Sequence, residues 1–300
     1  MAYGTPARPE DVEAFYTDVR RGRPPSPEQL ADLERRYAAV GGISQLAART
    51  AEQVAGVQAA LDALAAGEFS CRYGAKHANP SIEHSVAEMA GDGIDRLVAL
   101  VLAPHYSVGS VGEYLARVDR AAAPLGLIAG SIEDWHEHPV LIELLAERVQ
   151  AAFGALGTTP GDPRTELLVT AHSLPMRVVE SGDDYDLRLQ QTAELVARAV
   201  GAAKWRVCWQ SAGRTPEPWL GPDVLEVLRS LPAAGMNGAV VCPAGFTSDH
   251  LEVSFDLDIE AKQVAESLGL GFARTASLNA DPRLCTALAE LVMSAVPEAR

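Results

Sequence analysis

Two six-residue phrases in this chain can be laid one over the other. Met1-Ala2-Tyr3-Gly4-Thr5-Pro6 opens it, and Thr170-Ala171-His172-Ser173-Leu174-Pro175 closes a short apolar run near its middle. Alanine meets alanine, proline meets proline, and Tyr3 faces His172. The correspondence is wider than the phrase. In each half the second apolar run is followed by a Pro-containing loop, a helical pattern and a third apolar run that ends in proline and then an aromatic (Pro104 and Tyr106, Pro243 and Phe246). A Leu-Gly-Leu then recurs at 125–127 and 268–270. Runs with strand character lie at 69–74, 95–103, 125–130, 166–171, 205–210, 238–243 and 271–276, several of them apolar throughout, as parallel strands covered on both faces are. Amphipathic stretches separate them, among them 186–200, where Leu189, Ala193, Val196 and Val200 repeat at helical spacing. Alternating β and α elements predict an α/β fold with parallel sheets flanked by helices. The duplication predicts two similar lobes: 1–153, a Gly/Pro/Thr-rich linker at 154–165, and 166–300, whose C-terminal helix is expected to pack back on the first lobe. In open parallel sheets ligands sit beyond the carboxyl ends of the strands. Tyr3 and His172 are therefore expected at matching places, one per lobe, facing a shared cleft.

Composition narrows the partners. A net charge of −15 over 300 residues argues against a nucleic-acid or anionic-membrane surface, so an anionic ligand must meet a local basic patch. Four scattered cysteines without a CxxC read as reduced, mostly buried thiols in the cytoplasm. There is no basic-then-apolar leader pattern and no apolar run long enough to span a bilayer. GxGxxG after a strand, GxxxxGK[ST] and GxSxG are all absent, which argues against dinucleotide enzymes, P-loop NTPases and α/β-hydrolases.

Three constellations carry chemistry. His172 ends an apolar strand and is either a site residue or a histidine that caps the Ser-Leu-Pro turn. Glu252, Asp256 and Glu260 stand four apart and form one carboxylate stripe if helical. In so acidic a chain the stripe is either a solvated face or, with Glu252 just past the third strand of lobe two, part of a site. A neutral imidazole with carboxylates suits a borderline divalent ion such as Fe²⁺, and two ligands with open positions suit a transient metal. His250 reads as a loop-holding residue, His77 as a loop histidine or a partner of Glu260 in an outer metal site, and His105 as a strand-end residue supporting the site from behind. His84, His136 and His138 read as surface residues. Segment 17–50 carries six arginines against four acids, with Tyr37 and a Gly-Gly-Ile-Ser turn ending at Ser44. Guanidinium forks match carboxylates, which points to a ligand with several of them.

The segments MAYGTP, RRGRPPSPEQLADLERRYAAVGGISQLA, LAPHYSVGSVGEY, AHSLP, WQSAGRTPEPWLGPDV and GFTSDHLEVSFDLDIE, in this order, resemble the ferrochelatase family, nearest to its soluble bacterial coproporphyrin III branch. The resemblance runs from residue 1 to about 295. It implies a chelatase-like pair of Rossmann-like lobes with the macrocycle between them, and insertion of Fe²⁺ into coproporphyrin III with release of two protons, giving Fe-coproporphyrin III (coproheme) for haem. By motif it implies iron-site roles for His172 and Glu252 and an axial role for Tyr3. Porphyrin contacts fall to Arg20, Arg36, Tyr37, Ser44 and Tyr114, and an outer metal site to His77, Asp256 and Glu260. It implies no tightly bound cofactor, Fe²⁺ as substrate, no membrane insertion, a cytoplasmic monomer, and transient contact with neighbouring haem-pathway enzymes. With no cysteine after Cys285, a [2Fe–2S] cluster of the kind some relatives carry is not expected.

One departure stands out. Lobe two has Glu166-Leu167-Leu168-Val169 ahead of its phrase, whereas the sequence of lobe one starts at Met1, so either the start falls at an internal methionine or the first strand is short, and in the second case a less stable lobe one is expected. The rival readings are a chelatase for protoporphyrin IX with iron, a cobalt chelatase of corrinoid synthesis, and a two-lobed tetrapyrrole-binding protein without catalysis.

Overall fold

A computed structural model describes residues 1–213 and 215–298. Six strands form two parallel sheets. β1 (Arg96–Leu100) pairs with β2 (Ile128–Ile132). β3 (Thr165–His172), β4 (Trp205–Gln210), β5 (Gly238–Cys242) and β6 (Gly271–Arg274) stand in the order β4-β3-β5-β6. β3 is central: Thr170 lies opposite Cys208, His172 opposite Gln210, and Val169 opposite Cys242. Its residues 165–171 are buried because helices cover both faces, the reason this strand is apolar without alternation. β2 begins three residues later than the apolar run at 125–130. A 3₁₀ turn, Ala123–Leu125, closes the preceding helix, and Gly126 takes a left-handed φ of 73° that no strand residue adopts. Segment 69–74 is extended but pairs only at its end, where the Ala2 N–H donates to the Gly74 carbonyl at 3.2 Å.

The two apolar faces of β3 belong to different clusters. Leu167, Val169 and Ala171 join Leu144, Phe153 and Leu284, while Leu168 joins Val224, Leu228 and Leu257. Burying each such side chain contributes about 1.5–3 kcal/mol. The first cluster also takes in Val57 and Leu61, so a single core ties the helix Leu46–Leu64 to the second sheet. The C-terminal helix Pro282–Ser294 packs on Leu46–Leu64. Gly56 permits this approach, since a Cβ there would stand 2.5 Å from the Cys285 sulfur. Helix Pro139–Ala155, by contrast, packs on Tyr185–Val200, β5 and β6.

The acidic stretch after β5 differs from expectation. Val253–Ala261 is a π-helix and not an α-helix, continuing into the α-helix Lys262–Ser267. An i→i+5 ladder widens the turn, and such segments gather at functional sites. Among the described residues no helix is long and apolar enough to cross a membrane.

Candidate active site

The carboxyl end of β3 and the Met1–Pro6 phrase open on one cleft of about 510 Å³, lined by Tyr3, Tyr37, Ser44, Tyr114, His172 and Glu252. Local bonds explain why His172 stands where it does. The Ser173 N–H donates to the Gln210 carbonyl at 2.8 Å and its hydroxyl to the Leu220 carbonyl at 2.8 Å, pinning the turn after the strand. The Tyr185 hydroxyl donates to the His172 carbonyl at 3.1 Å. Asp183 in turn accepts from the Tyr185 N–H at 3.0 Å and from the Ser107 hydroxyl and Val108 N–H at 2.9 and 2.7 Å, so the first lobe braces the strand end of the second. Gly245 supplies the remaining room: a Cβ there would lie 2.4 Å from the Ala171 Cβ and 2.8 Å from its Cα. Gly245→Ala is expected to push His172 out of register, costing about 1–3 kcal/mol with a loss of metal insertion beyond the loss of fold. Thermal melts and activity measured together on the soluble fraction check this.

The imidazole and the carboxylate meet edge on. His172 Nδ1 contacts the Ser173 carbonyl at 2.5 Å, which assigns it the proton and leaves Nε2 facing Glu252 Oε1 at 3.6 Å. Glu252 is shared, since its Oε2 lies 3.6 Å from His250 Nε2. Burial by itself lowers His172, but the charge and hydrogen bond of Glu252 and the Ser173 carbonyl outweigh it and raise it to about 9. Burial pulls Glu252 up, and the two imidazoles more than reverse that, holding it well below the ordinary carboxylate range. Glu252 thus favours the protonated form of His172, where the ordinary histidine value led to a neutral imidazole. Across the cleft Tyr3 stacks edge-on to His77 at 4.7 Å and to Phe15 at 6.3 Å. Its phenol is pushed up, by burial first and then by Glu252, and so keeps its proton.

The structure does not bring together every residue the sequence nominated. Among the described residues no group of three or more His, Cys, Asp or Glu is arranged to hold a metal ion. His77 Nδ1 is 2.7 Å from Asp18, whereas Asp256 takes the Ser211 hydroxyl and lies 3.7 Å from Arg36, so His77, Asp256 and Glu260 form no single ligand set. Burial first, then the neighbouring charges of Glu252 and Glu260, raise Asp256 to about 7 against the opposing pull of Ser211 and Arg36. Arg36 is not free for a ligand: it bonds Asp32 at 3.1 Å and covers the Phe255 ring at 4.9 Å, tying the first lobe to the π-helix. Arg20 turns back onto the Arg23 carbonyl and the Tyr16 ring, and its neighbour Arg21, at φ 57°, lines the cleft instead. The Ser44 hydroxyl accepts from the Leu46 N–H at 3.1 Å, starting the helix behind it.

Two histidines carry more than the sequence gave them. His250 holds its loop through Nδ1 to the Ser248 carbonyl at 3.0 Å and also reaches Glu252. Its spacing two residues before Glu252 was the available signal. His136 is buried, between Asp134 and Gln191, where surface exposure was expected. His105, also buried, meets the Thr192 hydroxyl at 2.9 Å and lines the cleft floor. Lys76 was missed as well. It pairs with Glu113 at 2.5 Å above the Tyr114 ring.

Arg274 governs the loop that presents His250 and Glu252. It forks onto Asp258 of the π-helix at 2.7 and 2.8 Å and reaches Asp249 at 3.3 Å. Asp249 also accepts from Ser277 at 2.8 Å and Asn279 at 2.9 Å. Arg274→Met removes the fork while keeping much of the volume. It is expected to lower kcat about tenfold by misplacing Glu252, and Arg274→Lys is expected to recover part of that. Unchanged kinetics in the Met variant would show the clamp to be idle.

The lobes, the crossing strands and the cleft at their carboxyl ends define an α/β chelatase. The fold likeness extends to solved structures. CbiX, the terminal enzyme of sirohaem biosynthesis in denitrifying bacteria, superposes with a TM-score of 0.57 over 99% of this chain and 97% of its own at 17% identity. SirB from Bacillus subtilis with Fe³⁺ gives 0.57 over 82% and 90% at 14% identity. The ferrochelatase family model matches residues 1–296, and the chain belongs to that family. It is 44% identical over 297 residues to the coproporphyrin III ferrochelatase of Anoxybacillus flavithermus, covering 98% of this chain and 94% of that one. The Bacillus subtilis coproporphyrin III ferrochelatase is 43% identical over 298 residues, with 98% and 95% covered.

Proposed function

We propose that this protein inserts Fe²⁺ into coproporphyrin III, releasing two protons and yielding Fe-coproporphyrin III for haem synthesis. Its relatives support the substrate. The observation that carries the site assignment is that His172, Glu252 and Tyr3 line one cleft. The macrocycle lies between the His172–Glu252 pair and Tyr3. A dication approaching the pair drives the His172 Nε2 proton out to solvent, because the imidazolium and the metal compete for one lone pair. The freed imidazole and Glu252 then hold Fe²⁺ and replace part of its water. As iron enters the ring, the two pyrrole N–H protons leave. The first goes to Nε2 once the iron has passed from it into the ring, because Glu252 raises its proton affinity, and the second to Asp256, whose carboxyl burial has raised to about 7. The propionates are met by Arg21, Tyr37 and Ser44, with Arg20 at the rim. Tyr3 caps the far face of the ring and offers the product iron an oxygen. The protein acts in the cytoplasm as a monomer without a tightly bound cofactor, meeting other haem-pathway enzymes in passing.

An anaerobic assay with Fe²⁺, comparing coproporphyrin III with protoporphyrin IX and Co²⁺ with Fe²⁺, tests the proposal. Faster insertion of Fe²⁺ into the tetracarboxylate ring supports it. Preference for protoporphyrin IX or for Co²⁺ would move the protein to another branch of chelatases, and binding without turnover would make it a carrier.

A further inference from the structure

One cation of the cleft wall is already taken by a carboxylate of the protein itself. The Lys76 ammonium and the Glu113 carboxylate meet at 2.5 Å, and both residues line the cleft. The ammonium stands 5.1 Å from the centre of the Tyr114 ring, which lines the cleft beside it. The two partners are held very differently. Lys76 is fixed. Its N–H donates to the Ala2 carbonyl at 3.0 Å, its carbonyl accepts from the Arg117 guanidinium at 2.6 Å, and its side chain is only 9% exposed. Arg117 is pinned in turn by a fork onto Glu83 at 2.7 and 2.6 Å. The Glu113 side chain is 38% exposed, and among the described residues its carboxylate has no hydrogen bond besides that to Lys76.

The charges around the pair are those of an anion site. Burial alone would raise the Glu113 carboxyl, yet Lys76, Arg21 and His77 together hold it below its ordinary value. Of the described acids only Glu113 and Glu252 line the cleft, and Glu252 is engaged by His172 and His250. Glu113 lies in the first turn of helix Val111–Ala122, where the unpaired N–H groups favour a negative charge whether or not Lys76 is its partner. The carboxylate can therefore leave the ammonium and turn to solvent while staying in a favourable field. Ion pairs with an exposed partner are weak, so another carboxylate can compete for this one.

We infer that Glu113 is an exchangeable stand-in for a substrate carboxylate: it covers Lys76 until a propionate arm of the macrocycle displaces it and takes the ammonium in its place. This rests on the macrocycle reading given above and adds a specificity-determining pair to it. One carboxylate replaces another, so the charge on Lys76 stays compensated throughout, and the nearly buried ammonium is never left alone. An arm without a carboxylate cannot make the exchange, so Lys76 adds affinity only for a carboxylate-bearing ring. Glu113 also competes for the cation while the ring is bound, which hastens its release.

Fluorescence titration of coproporphyrin III without iron, on the parent, Glu113→Gln, Lys76→Met and the double variant, tests the inference. Glu113→Gln uncovers Lys76 and is expected to tighten coproporphyrin binding about three- to tenfold, the range for one such ion pair, and to slow its release by a similar factor. Lys76→Met is expected to weaken binding. In the Lys76→Met background Glu113→Gln is expected to bring no gain, because no ammonium remains to be uncovered. Coproporphyrin III tetramethyl ester, whose arms are uncharged, is expected to bind the parent and Glu113→Gln alike. Unchanged or weaker coproporphyrin binding by Glu113→Gln would overturn the inference, and so would an equal gain in the Lys76→Met background. If Lys76→Met does not fold, Asp18→Asn is the charge control, since it removes an exposed acid that contacts His77 at 2.7 Å. A gain in Glu113→Gln without one in Asp18→Asn then supports the exchange, and equal gains overturn it. Failure of the parent itself to bind coproporphyrin III would instead overturn the macrocycle reading, and this inference with it.

Discussion

His172→Ala is expected to lower the rate of Fe²⁺ insertion by about 10²–10⁴-fold, the range for loss of a positioned proton-transfer group, while coproporphyrin affinity changes little. The asymmetry follows from the geometry. The cleft walls proposed to grip the ring lie on segments 16–46 and 76–114, far in sequence from residue 172. The imidazole stands at the end of β3 and touches Glu252 and the Ser173 carbonyl. Truncation leaves the strand's hydrogen bonds in place, since Ser173, Gln210 and Tyr185 hold the backbone. Porphyrin fluorescence titration and anaerobic single-turnover insertion separate the two quantities. A variant that bound porphyrin as before and inserted iron within a few-fold of the parent rate would remove His172 from the reaction.

Glu252→Gln is expected to change the pH dependence as well as the rate. In the parent the carboxylate charge raises His172 to about 9, so the proton that Fe²⁺ must displace is held through neutral pH. The apparent KM for Fe²⁺ therefore falls as pH rises toward that value. The amide carries no charge, and burial, which lowers His172, then acts without its main opponent. The midpoint of the rise in kcat/KM for Fe²⁺ moves to lower pH, toward or below the unperturbed histidine value of about 6.5. The maximum rate drops about 10²-fold or more through loss of the charge that helps hold Fe²⁺ and raises the proton affinity of His172. Glu252→Asp, which keeps the charge at a greater distance, restores the alkaline midpoint in part. A Gln variant with the parent's midpoint would mean that another group sets it. The linked effect on stability has a fixed sign. His172, raised in the folded state, stabilises it fully below the unfolded value and loses that contribution as pH rises through about 9.

Part of this was legible in the residues. Runs such as 166–171 and 238–243 are apolar throughout because β3 and β5 are covered on both faces, and one-dimensional pattern reports that directly. The aligned phrases placed Tyr3 and His172 at equivalent strand ends because the carboxyl ends of parallel strands share one side of a sheet. Other residues gave no such signal. Arg36 and Arg20 carry the same charge as Arg21, and only the turn at 20–23 and the nearness of Asp256 and Phe255 decide which guanidinium meets the cleft. His136 looks like any polar-loop histidine until helix Tyr185–Val200 brings Gln191 against it. The i, i+4 acids imply an α-helix, and the π-helical turn depends on packing of Val253 and Leu257 beneath the second sheet.

The sequence by itself determined the α/β class, because strand and helix periodicity are local patterns, and it nominated His172, Glu252 and Tyr3 through a repeated phrase and a family resemblance. Tertiary structure alone decided the raised proton affinity of His172, the sharing of Glu252 by two histidines and the packing of helix Leu46–Leu64 against the C-terminal helix. Those depend on distances of a few ångströms between residues up to hundreds of positions apart, and electrostatic attraction falls away within that range.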